Sequence, residues 1–320
     1  GIGRSARNGI LIKGGEFLET SARITAVAVD KTGTLTEGRP QLTDVVTLDP
    51  DVDRRTLLRW AAAAEAGSEH PLARPILDTA RAEGVGPEGI PGAVTPVPGK
   101  GIVGEVEGRR VLIGNAALLA QYGVDDDEGR AATAARELAA AGRTPMIVAV
   151  DDRVIGLLAV ADTLRPDAPE MVRRLHNAGV EKVVMLTGDT RLVAEAVGRA
   201  AGIDEIHAGL LPEDKLDAVA DLQRRGYVVA MVGDGVNDAP ALATADIGVA
   251  MGAAGSAVAV ETADIALMGD DLLKLPEAVG LARRTVAVMR QNIAIALLTV
   301  VVLLAGVFLA QAGVVAPPPP

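Results

Sequence analysis

The chain has 320 residues, enough for two or three domains that each bury a core. A formal net charge of −11 argues against a nucleic-acid-binding surface. The absence of cysteine excludes disulfides and thiolate metal sites, and three histidines (His70, His176, His207) are too scattered in sequence to suggest a histidine metal cluster.

In chain order, the opening Gly1-Ile2-Gly3-Arg4 carries no signal peptide and reads as if cut from something longer. The apolar run Ile24–Val29 predicts a buried strand that ends at Asp30-Lys31-Thr32-Gly33-Thr34-Leu35-Thr36. Such a strand delivers a carboxylate into a Gly/Thr-rich loop, a way to aim a nucleophile at a phosphoryl group. Residues 41 to 159 have another texture. Helices are expected over Arg54–Ala66 and Leu72–Glu83, followed by a Pro/Gly-rich link from Gly84 to Gly101. Hairpins are expected around Glu107-Gly108 and Asp151-Asp152. This reads as an α+β domain inserted after the first strand.

From residue 160 onward helices and strands alternate, as in a parallel sheet covered on both faces. A helix is expected over Pro166–Ala178, with Asp162 or Thr163 to cap it, then a strand at Lys182–Leu186 and a helix at Arg191–Ala200. A further helix over Pro212–Arg225 and a strand over Tyr227–Val232 complete the alternation. Open α/β sheets bind ligands at the carboxyl ends of their strands, so the loops there should converge. Near the C-terminus, Thr299 is the only polar residue between Ile293 and Ala310, 18 apolar-dominated residues preceded by Arg283, Arg284 and Arg290. That run is close to the minimum for a bilayer span, with basic residues placed as on a cytoplasmic side. The four terminal prolines suggest no function.

Four loops carry the chemistry. Asp30 is the candidate nucleophile, and the backbone of Thr32 can face the same site. Thr187-Gly188-Asp189 offers a hydroxyl and an amide to a phosphoryl oxygen, and Lys215 offers positive charge. Asp234 and Asp238, within Gly233-Asp234-Gly235-Val236-Asn237-Asp238-Ala239-Pro240, are closely spaced oxygen ligands that suit magnesium. Attack by a carboxylate on a γ-phosphate brings anions together, so the site must supply charge and positioning.

The order Asp30, Thr187, Lys215, Asp234 resembles the haloacid-dehalogenase-like superfamily, and Asp30–Thr36 with Gly233–Pro240 resembles its P-type ATPase branch. Ser68-Glu69-His70-Pro71-Leu72, Glu65 and Gly99-Lys100-Gly101 resemble the nucleotide-binding domain of heavy-metal-transporting P-type ATPases. The resemblance implies a Rossmann-like α/β phosphorylation domain with an inserted α+β nucleotide-binding domain and a C-terminal transmembrane helix. The implied divisions are 1–40, 41–159, 160–275 and 276–316. It implies ATP and Mg2+ as ligands, with Asp30, Thr187 and Lys215 catalytic and Asp30, Thr32, Asp234 and Asp238 around the metal. Glu65, His70, Gly99, Gly101, Thr32, Gly188, Asp189 and Asn237 would contact the nucleotide, with Glu65 and His70 at its adenine end. Asp162–Pro166 would be the hinge between the two domains.

The implied setting is a cell-membrane pump with cytoplasmic domains, the bilayer around its span, and a transition-metal ion carried by parts outside these residues. The Cys-Pro-type metal helix and the actuator domain of such pumps are not in this sequence. Many phosphatases of the superfamily place a second Asp two residues after the nucleophile; Thr32 stands there instead, which favours a lasting phosphoryl intermediate. The apolar run lacks the Asn and Tyr of copper pumps and the Lys of the zinc/cadmium branch, which leans toward a divalent metal (zinc, cadmium or cobalt). A copper pump and a stand-alone phosphohydrolase are the alternatives.

Overall fold

Strand β1 (Ile10–Ile12), helix α1 (Gly15–Ser21) and strand β2 (Ala26–Asp30) open the chain in the computed structural model, which describes residues 8–88, 92–234, 238–252 and 261–313. After a tight loop come β3 (Gln41–Thr47), α2 (Arg54–Glu65), α3 (Ala73–Ala82), β4 (Val94–Val97), β5 (Gly101–Val106) and β6 (Arg109–Gly114). Next are α4 (Ala116–Gln121), α5 (Arg130–Ala140), β7 (Thr144–Val150) and β8 (Arg153–Ala161). The alternating part then runs α6 (Ala168–Asn177), β9 (Lys182–Leu186), α7 (Arg191–Ala201), β10 (Glu205–His207), α8 (Pro212–Arg224), β11 (Val229–Gly233), α9 (Ala239–Thr244), β12 (Ile247–Ala250) and β13 (Ile265–Leu267). Helix α10 (Lys274–Gln311) is the last element.

Two sheets result. The first has order β1-β13-β12-β11-β2-β9-β10, parallel throughout except for the β1–β13 edge pair. Its inner strand β2, between β11 and β9, is buried at every position, as a parallel strand covered on both faces must be. Side chains alternate along it. Val27 and Val29 join a core with Met171, Leu175, Val183 and Met185, while Ala26 and Ala28 face Val219, Leu222 and Met231. The second sheet, order β3-β8-β7-β6-β5-β4, is antiparallel and uses residues 41 to 161. One face packs on α2 and α3 through Leu57, Trp60, Ala61 and Ile76; the other packs on α4 and α5 through Leu118, Leu119 and Ala131.

The expected elements stand where the periodicity puts them, within one or two residues at most ends. The capping role expected of Asp162 or Thr163 is corrected: α6 begins at Ala168, and the N-cap residue is Asp167, with no side-chain cap bond. Asp162 instead ties together the two chain segments that link the sheets. Its carboxylate accepts from the Thr36 hydroxyl at 2.5 Å and the amides of Gly38 and Arg39 at 3.0 and 2.9 Å. Thr36 and Leu164 also form an antiparallel bridge across these segments.

Helix α10 has two parts. Leu275, Ala278, Val279 and Ala282 belong to the core of the parallel sheet, whereas Ile293 to Leu309 stand exposed. Among the described residues it is the one helix long and apolar enough to cross a membrane.

Candidate active site at the carboxyl ends of the parallel strands

Register alone brings the first three loops together. Asp30 at the end of β2 pairs with Leu186 at the end of β9, and Val29 pairs with Val232 on β11. The next residues, Thr187 and then Gly233-Asp234, therefore leave the same edge beside Asp30. Beyond β2 the chain turns sharply, with Thr32 extended (φ −73°, ψ 123°) and Gly33 at φ +77°, a conformation that glycine adopts without strain. The Thr36 amide closes the turn on the Lys31 carbonyl at 3.0 Å, and Arg165 donates to the Thr36 carbonyl at 3.2 Å.

The fourth loop comes from α8. Asp214 accepts from the Leu211 amide at 2.8 Å and fixes the first turn of that helix. Lys215 follows and reaches into the site, where its Nζ lies 2.8 Å from Asp30 Oδ1 and 2.8 Å from Asp238 Oδ1. A second lysine, Lys31, is nearly buried and pairs with Asp189 at 2.5 Å. Asp189 is held in turn: its amide donates to Thr187 Oγ1, and its carbonyl accepts from the Gly209 amide.

Burial is the main cause that lifts the Asp30 pKa to about 7, and the neighbouring Asp238 charge adds to it. Lys215 pulls the other way. Burial would lower the Lys215 pKa, but the charge of Asp30 and the hydrogen bond to Asp238 more than offset this and raise it. Asp30 and Asp238 are thus crowded carboxylates that share one ammonium, Lys215, while Lys31 pairs with Asp189 beside them. Asp238 is 2 % exposed, and its Oδ2 is buried without a hydrogen-bond partner. Among the described residues no group of three His or carboxylate side chains could hold a metal by itself. Magnesium does not need one: it is commonly held by one or two carboxylates with phosphate oxygens and water. Crowded carboxylates with one buried oxygen left over fit that ion.

Of the residues expected at the site, Asp30, Thr187, Gly188, Asp189, Lys215 and Asp238 lie together, with Thr32 in the adjoining turn and Asp234 at the end of β11. Asn237 lies outside the described residues. Lys31 and Arg165 were not singled out by the sequence analysis, although Lys31 stands inside the seven-residue signature.

The second expected group lies on the antiparallel sheet. Glu65 ends α2 at 2 % exposure, with Oε2 buried and unpartnered. Burial raises its pKa to about 7, opposed only by a hydrogen bond with Ser68. His70 stands beyond it, its amide donating to Ser68 Oγ and its Nδ1 accepting from the Leu72 amide. Partial burial holds the His70 pKa below its usual value. Gly99 and Gly101 flank the turn between β4 and β5. A Cβ on Gly101 would fall 2.1 Å from the Ile113 carbonyl, so strand pairing by itself demands glycine there, while the space at Gly99 is open. Asn115, which the sequence analysis did not single out, ties this turn to α4: its side chain donates to the Gly99 carbonyl and accepts from the Leu118 amide. The Asn before a short apolar run was the available cap signal.

The sequence profile of haloacid dehalogenase-like hydrolases matches residues 24–246. The chain belongs to that family. Within it, the chain is similar to a probable cadmium-transporting ATPase of Staphylococcus aureus (strain MRSA252), 42% identical over 92% of this chain and 41% of that protein. It is 43% identical to a zinc-exporting P-type ATPase of Mycobacterium marinum (strain ATCC BAA-535 / M), over 99% of this chain and 42% of that one. A manganese-exporting P-type ATPase of Mycobacterium leprae (strain TN) is 44% identical, over 99% and 43%. Among solved structures, a zinc-transporting PIB-type ATPase in an E2.Pi state superposes with a TM-score of 0.70 at 42% identity, covering 98% of this chain and 49% of that one. The chain spans less than half the length of these curated relatives.

Proposed function

We propose that this chain binds Mg·ATP and transfers its γ-phosphoryl group to Asp30, as the catalytic part of a membrane pump for a divalent transition metal. The observation that carries the reading is the placement of Asp30: buried at the carboxyl end of the inner strand β2, bonded to Lys215, and pressed by Asp238. One Asp30 carboxylate oxygen forms the new O–P bond, the bond from the γ-phosphorus to the β–γ bridging oxygen breaks, and the electron pair leaves on ADP. Lys215 holds Asp30 in position and offsets the charge of the approaching phosphate. Thr187 and the Gly188 amide orient the transferred oxygens, and Lys31 holds Asp189 against that loop. Asp30 and one of Asp234 and Asp238, with the Thr32 backbone, would hold Mg2+, which when bound neutralises charge spread over the phosphoryl oxygens. Thr32 cannot act as a carboxylate acid or base, so the aspartyl phosphate should outlast that of a phosphatase.

The antiparallel unit is the nucleotide carrier in this reading. Protonated Glu65 and His70 offer polar contacts at one end of the purine, and Gly99 admits the nucleotide to the backbone. The tie made by Asp162 is the hinge about which this unit delivers ATP to Asp30. The exposed part of α10 lies in the cell membrane, and the two sheets lie on its cytoplasmic side. Relatives named for cadmium, zinc and manganese favour a divalent cargo. Incubation with γ-labelled ATP and Mg2+ tests the reading. The label should be stable in acid and lost to hydroxylamine; a label that resists hydroxylamine would refute an acyl phosphate.

A further inference from the structure

Arg283 occupies an unusual place. It lies on α10, one residue past the last side chain of that helix buried in the parallel-sheet core, Ala282, and ten before the exposed apolar run at Ile293. Its Nη2 donates to the Ile24 carbonyl at 2.7 Å and to the Gly179 carbonyl at 3.3 Å, and its Nε is buried without a partner. The side chain is half-buried, and leaving Nε buried without a partner costs desolvation energy that its two carbonyl bonds offset only in part. Gly179 has made room for it: a Cβ there would lie 2.0 Å from Arg283 Nη1, at a φ of +92° that already favours glycine.

The contact point is a junction of strands. Ile24 immediately precedes Thr25, whose carbonyl accepts from Glu181 and Lys182 at the start of β9. The amides of Thr25 and Ala26 donate to Val228, just before β11, and the Val228 amide donates back to Thr25 Oγ1. Arg283 thus bonds the segments that lead into β2 and β9, and reaches β11 only through the bonds of Thr25 and Ala26 with Val228; the carboxyl ends of these three strands present Asp30, Thr187 and Asp234. Six residues of extended chain separate Ile24 from Asp30, about 20 Å. On the other side α10 continues unbroken to Gln311, about 42 Å beyond Arg283.

We infer that Arg283, seated over Gly179, is the positioning residue that couples the state of Asp30 to the orientation of the apolar part of α10. The inference rests on the aspartyl-phosphate reading. A change of charge at Asp30 shifts β2 against β9, and the guanidinium, bonded to the carbonyls of Ile24 before β2 and Gly179 after α6, passes the shift to the helix. Without Arg283, α10 keeps its apolar anchors Leu275, Val279 and Ala282 but loses its polar link to this junction.

The cysteine-free chain can be spin-labelled at Arg199→Cys and Leu303→Cys in detergent micelles, and the distance between labels measured with and without Mg2+ and beryllium fluoride, a phosphoryl mimic. The expected result is a shift of the most populated distance on adding the mimic, and loss of that shift in Arg283→Gln and in Gly179→Ala. Arg283→Lys, which keeps the charge and N–H donors but not the planar fork, should restore part of it. Fluorine NMR on the same samples should show the mimic bound in every variant. A purely structural role would lower the melting temperature of Arg283→Gln yet leave the shift intact, and that overturns the inference. So does a bound mimic that moves nothing in the unsubstituted chain. Failure of the mimic to bind, or binding that survives Asp30→Asn, counts against the aspartyl-phosphate reading instead.

Discussion

Asp30 and Glu65 are both buried carboxyls whose pKa values rise to about 7, yet their surroundings differ. Around Asp30 burial acts together with Asp238 and against a bonded ammonium, Lys215. Around Glu65 burial acts almost alone, against a single hydrogen bond with Ser68. The same shifted value therefore describes two chemistries. Asp30 sits in a set of opposing charges that a cation or a phosphoryl group can tip toward ionisation. Glu65 sits in a neutral niche that favours the protonated form, which can donate a hydrogen bond. In the proposed function the first site reacts and the second holds.

The largest effect that sharpens this contrast belongs to Lys215. Lys215→Met removes the ammonium from two carboxylates and should reduce the rate of phosphorylation from ATP about 100- to 1,000-fold. Nucleotide affinity should stay close to that of the unsubstituted chain, as an equilibrium titration with a fluorescent ATP analogue would show. Equal losses in both would dissolve the distinction between the two regions. His70→Gln should behave in the opposite way. Loss of one polar contact worth about 1–2 kcal/mol weakens ATP binding roughly 5- to 30-fold, with little change in the rate at saturating ATP.

Linkage gives the next prediction. The folded-state pKa of Asp30 lies above its ordinary value of 3.8, so the folded chain holds a proton there that the unfolded chain releases. This contribution is fully present below about pH 4 and is lost as pH rises toward 7. Mg2+ favours the ionised form, so it should raise the melting temperature more at pH 8 than at pH 5.5. Asp30→Asn should remove most of that difference in a thermal-shift series. Glu65 has the same sign over the window from 4.5 to about 7, and Mg2+ should not touch it. Glu65→Gln should flatten the remaining fall in stability across that window, by on the order of 2 kcal/mol in urea unfolding. A slope unchanged in this variant would mean that Glu65 is ionised in the folded chain.

Much of this was legible in the sequence because it is local. The run Ile24–Val29 into Asp30, the alternation after residue 160 and the hairpin turns are read from spacing of two or four residues. Parallel pairing then converts strand order into convergence of the loops. What spacing does not reveal is which distant partner a polar side chain chooses. Asp162 stands at a plausible helix entrance, yet its three donors lie 123 to 126 residues earlier in the chain. Arg283 reads as one of three basic residues before a span, while its acceptor Ile24 is 259 residues away. Lys31 was hidden differently: inside a signature, its neighbours Asp30 and Thr32 drew the chemistry, and only the fold shows Asp189 beside it.

The central claim is that Asp30 accepts phosphate. Borohydride reduces an acyl phosphate on aspartate to homoserine, which mass spectrometry can place in the sequence. After incubation with Mg·ATP and reduction, homoserine should be found at position 30 and should vanish in Asp30→Asn. Homoserine at another aspartate, or at none while acid-stable label persists on the protein, would contradict the account.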